Sequence, residues 1–79
     1  MSKIQILWAD DEIELLKPHI LFLESKGYDV TTVNNGIDAV EYVQASPYDL
    51  VFLDENMPGI GGLEALNQIK ELRENLPVI

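Results

Sequence analysis

The chain has 79 residues, 47% of them hydrophobic and 24% charged, which fits one globular domain or less; at this size folding buries only about 60% of the surface that the unfolded chain exposes. Fourteen acidic residues against five Lys and Arg give a net charge of −9, so the basic footprint of a nucleic-acid binder is missing and the chain suits cations and basic partners. It has no cysteine, which excludes disulfides, zinc-thiolate sites and thiol catalysis, and no apolar run approaches the roughly 18 residues of a membrane span.

The opening MSKIQILWADDE lacks the layout of a signal peptide, because acids interrupt the apolar stretch almost at once. A cytoplasmic protein is expected. Ile4 to Ala9 is a nearly continuous apolar run ending at Asp10, and reads as a strand covered on both faces. Ile13, Leu16, Ile20 and Leu23 then recur at helical spacing, with Leu15, His19 and Phe22 widening the face and Gly27 as a stop. Pro18 cannot donate to the carbonyl of Glu14, which predicts a kink or a first turn loosely joined to the rest. Trp8 and Phe22 are expected in the core, and His19 in a structural role.

Tyr28 to Val33 carries a β-branched cluster of mixed polarity and reads as an edge strand. Asn34-Asn35-Gly36 supplies a turn and an N-cap for a second helix, with Asp38 in its first turn, Ile37, Val40 and Val43 facing inward, and Ser46-Pro47 as its end. Asp49 to Asp54 is the third strand. Gly61-Gly62 opens a third helix with the stripe Ala65, Leu66, Ile69, Leu72 and Leu76, and Pro77-Val78-Ile79 begins a fourth strand. Strand-helix alternation with short connections predicts an α/β fold with a parallel sheet and helical crossovers.

Two of these strands end in acids: strand one delivers Asp10 and Asp11, strand three Asp54. Ligands of open parallel sheets bind outside the carboxyl ends of the strands, near the point where strand order reverses. Acids at strand ends are often merely solvated, but two apolar runs ending in aspartate at the same end of one sheet is a pattern that random surface acids seldom produce. Crowded carboxylates repel, and a divalent cation relieves them. Magnesium fits best, since it takes oxygen ligands, keeps several waters and leaves room for a phosphate oxygen. Asn56, on the turn before Pro58, is placed to add its backbone carbonyl.

Asp10-Asp11-Glu12, Asn35-Gly36-x-Asp38-Ala39 and Asp49-Leu-Val-Phe-Leu-Asp54-x-x-Met57-Pro58-x-x-x-Gly62 together resemble the receiver domain of two-component response regulators, over essentially the whole chain. More narrowly, ILWADDE and LDENMPG resemble PorX-type regulators, whose receiver precedes a PglZ-type phosphoesterase domain. The resemblance implies a flavodoxin-like (CheY-like) doubly wound sheet, β-α-β-α-β-α plus the start of a fourth strand. It implies Asp54 as phosphoacceptor, taking a phosphoryl group from the phosphohistidine of a sensor histidine kinase. By the same resemblance Asp11, Asp54 and the Asn56 carbonyl coordinate Mg²⁺, and Asp10 holds a metal-bound water. It implies a signalling module, phosphorylated on itself, with a C-terminal output domain in the intact protein. Pro58 would stiffen the loop that holds the carbonyl.

The family's domain continues through further strand-helix units, so the expectation is a receiver domain truncated within its fourth strand. The hydroxyl residue and the lysine that receivers carry on later strands then have no counterpart, which predicts weak or absent phosphotransfer and an unpaired apolar edge that favours self-association. A dehalogenase-type Mg²⁺ phosphohydrolase is the rival enzyme; its nucleophile sits on the first strand with a second Asp two residues on, an order this chain lacks. An EF-hand loop starting at Asp54 fails at Pro58 and Ala65. Gly59-Ile-Gly61-Gly62-Leu-Glu64 fails as a dinucleotide loop at Glu64. A purely structural or interaction role, with the acids idle, is the third reading.

Overall fold

The computed structural model describes residues 3–79. Three parallel strands, β1 (Gln5–Ala9), β2 (Asp29–Val33) and β3 (Leu50–Leu53), form a sheet of order β2-β1-β3. β1 is central, in register with both neighbours, so that Trp8 stands beside Thr32 and Phe52. β2 is an edge, as its mixed polarity predicts. Residues 77–79 add to the other side of β3: Val51 N–H donates to the Pro77 carbonyl at 3.0 Å and Ile79 N–H to that of Val51 at 2.8 Å. Gln5 ties the strands together at their amino ends, its N–H donating to the Asp49 carboxylate at 2.8 Å and its side-chain amide to that of Asp29 at 3.0 Å.

Strand periodicity divides the sheet into two faces. Leu7, Ala9, Val33 and Val51 pack with Ala39 and Val43 of α2 (Gly36–Ala45) and Ile69 of α3 (Gly62–Leu72) in one buried cluster. Burying a Leu, Ile or Val there is worth about 1.5–3 kcal/mol each relative to exposure. Ile6, Trp8, Leu50 and Phe52 point the other way. α1 (Lys17–Ser25) contacts β2 and contributes nothing to that cluster. Trp8 is half-buried rather than a core residue, with its ring tilted against that of Phe52 at 5.0 Å between centroids.

The first helical segment is broken as Pro18 predicts, and departs from expectation in the width of its inward face. A 3-10 turn, Ile13–Leu16, precedes α1, and Pro18 sits in the first turn of α1, where its missing N–H costs nothing. Ile13, Leu16, Ile20 and Leu23 are half-buried as the spacing predicts, but Leu15, His19 and Phe22 are exposed, Phe22 by 61%. They lie outside the inward stripe, and the Phe22 ring is partly sheltered by Lys26, whose ammonium stands 5.4 Å from its centroid. In α2 the inward positions are Gly36, Ala39 and Val43, with Val40 packed at the margin and Ile37 49% exposed. Leu76 is buried beyond the end of α3, brought back by a turn in which the Lys70 ammonium donates to the Leu76 carbonyl.

Candidate functional site

Because β1 is flanked by β2 on one side and β3 on the other, the crossover from β1 to β2 and the next, from β2 to β3, run in opposite directions across the sheet, and the switch point lies at the carboxyl end of β1. Both acidic strand ends are locked there. Asp54 N–H donates to the Ala9 carbonyl at 2.9 Å, which extends the β1–β3 ladder by one residue, and Asp10 N–H donates to the Val33 carbonyl at 3.1 Å. Asp10 Oδ1 accepts from Glu12 N–H at 2.9 Å, an Asx-type turn that fixes the side chain and redirects the backbone.

Asp10, Asp11 and Asp54 each bring a carboxylate oxygen to within 4.8 Å of the others; Asp10 and Asp54 are half-buried, Asp11 exposed. At that separation two like charges repel by about 0.9 kcal/mol in bulk water and about 3.5 kcal/mol at an effective dielectric constant of 20. Among the described residues no cation compensates them. The ion pair of those residues is Lys17 with Glu14, at 2.9 Å, and Lys70 is engaged at the end of α3. An all-oxygen donor set with three formal negative charges and no nitrogen or sulfur ligand fits a hard divalent cation of the magnesium type.

The loop after β3 is held close to α3 by a residue without a side chain. A Cβ at Gly62 would collide with the carbonyl oxygen of Asp54 and lie 2.8 Å from the Cα of Glu55. The N–H of Gly62 instead donates to the Glu55 carbonyl at 2.9 Å, and Gly61 stands at the N-cap of α3. Asn56 is exposed and lines, with Asp54, Glu55, Leu63, Leu66 and Ile79, an open hollow of about 520 Å³. The three aspartates singled out in the sequence are thus together, with Asn56 two residues beyond Asp54 on the rim. Sequence reasoning missed the backbone contributions, the Glu12 N–H that fixes Asp10 and the close approach at Gly62. An aspartate at a strand end before a polar run is the signal for the first.

The sequence model for the response regulator receiver domain matches residues 6–79. The chain belongs to that family. This receiver is 43% identical over 79 residues to a transcriptional regulatory protein of Haemophilus influenzae, a CpxR homolog, covering all of this chain and 33% of that protein. It is similar in structure to the response regulator TrrA of Thermotoga maritima, solved in complex with Mg²⁺-BeF, at 35% identity and a TM-score of 0.87, covering 95% of this chain and 65% of that one. A solved complex of the histidine kinase ThkA with TrrA also matches, at 35% identity and a TM-score of 0.86, with the same coverage of 95% and 65%. The receiver spans about a third of these curated regulators, 33% of the Haemophilus protein and 35% of a regulator of Bacillus subtilis, YkoG.

Proposed function

We propose that this receiver accepts a phosphoryl group on Asp54 from the phosphohistidine of a sensor histidine kinase. The convergence of three carboxylates at the ends of β1 and β3, unbalanced by any cation of the described residues, carries the reading. An Asp54 carboxylate oxygen attacks phosphorus in line; the O–P bond forms as the P–N bond breaks, and its electron pair returns to the imidazole. Asp11, Asp54 and the Asn56 carbonyl would hold Mg²⁺, with Asp10, fixed by Glu12 N–H, supporting them from beside. When bound, Mg²⁺ neutralises charge on the transferred group. The product is a modified receiver and not a released molecule, so the protein signals and does not turn over substrate. The relatives solved with Mg²⁺-BeF and with a histidine kinase support this assignment.

The regulator works in the cytoplasm and hands the signal to an output domain. The wording ILWADDE and LDENMPG favours a PorX-type regulator with a PglZ-type phosphoesterase output. Incubation with phosphoramidate and Mg²⁺, followed by mass spectrometry, tests the core of the proposal. One phosphoryl group is expected, located at Asp54 and absent in Asp54→Asn; a label on another residue would refute the assignment. A generic phosphate ester with Mg²⁺ should show no turnover, and steady hydrolysis would favour the dehalogenase-type reading.

A further inference from the structure

The loop that leaves β3, from Asp54 to Gly61, is gripped by α3 at Gly62, and on its far side it rests on the first turn of α2. The contact is very close. A Cβ at Gly36 would lie 2.6 Å from the Ile60 carbonyl oxygen, 2.7 Å from Ile60 Cγ1 and 3.4 Å from the Ala65 side chain. One residue on, Ile37 reaches the same loop, its Cδ1 3.2 Å from where a Cβ of Gly59 would be. Asp11, Asn34, Asn35, Ile37, Pro58 and Gly59 line one hollow, so the carboxylate cluster, the start of α2 and the loop meet at one place.

The start of α2 is itself rigid. Asn35 Oδ1 accepts from Asp38 N–H at 2.8 Å, and Asn35 Nδ2 donates to the Asp38 carboxylate at 2.9 Å, a reciprocal cap. At Gly36 the closest approach is to a backbone oxygen, which cannot swing aside like the end of a flexible side chain. An added Cβ therefore has to shift the backbone at Ile60, since real Cβ contacts essentially never fall below 3.0 Å. The loop is short: Asn56 lies four residues before Ile60 and Asp54 six, so a shift at Ile60 is passed back toward the metal-facing groups.

We propose that Gly36 is a positioning residue for the metal site, acting through Ile60 to set the loop that carries Asn56. The proposal rests on the Mg²⁺ reading above. Gly36→Ala should weaken Mg²⁺ binding by about tenfold, the low end of the ~10–100-fold loss caused by changing groups that support metal ligands. The readout is isothermal titration calorimetry with Mg²⁺ alone, and circular dichroism checks that each variant is folded.

Val43→Ala serves as the control, because Val43 is fully buried two turns further along α2, away from the Gly36–Ile60 contact, and its loss destabilises the protein. It should leave the affinity for Mg²⁺ unchanged. Ile60→Ala perturbs the same contact from the loop side without a backbone clash, and should weaken binding by less than the about tenfold loss of Gly36→Ala. Wild-type affinity in folded Gly36→Ala overturns the proposal, as does an equal loss in Val43→Ala. If Gly36→Ala does not fold, wild-type affinity in Ile60→Ala overturns it. Absence of Mg²⁺ binding by the wild-type chain overturns the metal reading and this inference with it, whereas wild-type binding that Asp54→Ala removes, with Gly36→Ala unaffected, sinks this inference alone.

Discussion

Replacing Asp54 with Asn in the metal-free protein should make it more stable. Asp54 faces two other carboxylates within 4.8 Å, and no side-chain hydrogen bond or ion pair to it exists among the described residues, so the isosteric amide removes repulsion and sacrifices no partner. Each of the two pairs costs about 0.9 kcal/mol in a fully aqueous dielectric and about 3.5 kcal/mol at a dielectric constant of 20. Asp11 is exposed and the other two are half-buried, which puts the pairs near the aqueous end, with salt screening them further. A gain of about 1–2 kcal/mol remains, or roughly 5–15 °C in Tm for a domain of this size. Thermal melts followed by circular dichroism in EDTA and in Mg²⁺ are the assay. Mg²⁺ at ten times its Kd should stabilise the wild type by about 1.4 kcal/mol and the variant far less, narrowing the gap. The electrostatic argument fails if Asp54→Asn melts at or below the wild type in EDTA at low salt, or if Mg²⁺ stabilises both proteins equally.

Asn35→Ala removes both halves of the reciprocal cap on α2 and should cost about 1 kcal/mol, read as a lower urea midpoint with an unchanged slope. An unchanged midpoint would mean that the cap is replaced by solvent without loss. Beside residues 77–79 the side chains of Ile79 and Leu63 are each 72% exposed, and we propose that the 79-residue chain self-associates through this apolar patch. Light scattering after size exclusion should give a mass above that of the monomer at high concentration, reduced by Ile79→Lys; a strict monomer throughout would rule this out.

The acidic constellation was legible in the sequence because each strand is a short apolar run with an aspartate at its end, and alternation with helical patterns makes such strands parallel. Asp10, Asp11 and Asp54 therefore had to share one rim once β1 lay between β2 and β3. The edge position of β2 followed in the same way from its mixed polarity, and the break before α1 from Pro18. Phe22 misled because hydrophobicity alone does not say how wide a helical stripe must be. One sheet face needs only Ile13, Leu16, Ile20 and Leu23, and residues a third of a turn away stay in solvent. Ala39 was passed over for Ile37 because a small residue looks uninformative, although it is what lets α2 sit against the sheet. The contacts of Gly36 and Gly62 were invisible for a deeper reason: a glycine marks where backbones approach, and only the folded chain says which backbone arrives.

The two sides of the carboxylate cluster rest on unequal foundations. Asp54 leads into α3, which buries Gly62, Ala65 and Ile69, whereas Asp10 and Asp11 lead into a 3-10 turn and α1, neither of which has a buried residue or a side-chain cap. Local opening free energy follows buried contact, so the Asp11 side opens more readily than the Asp54 side. A ligand held only by the folded arrangement of both sides closes the looser one with part of its own binding free energy. Occupancy of the site is then also a measure of how often α1 is in place, and any partner that grips α1 from outside tightens the site without touching a carboxylate.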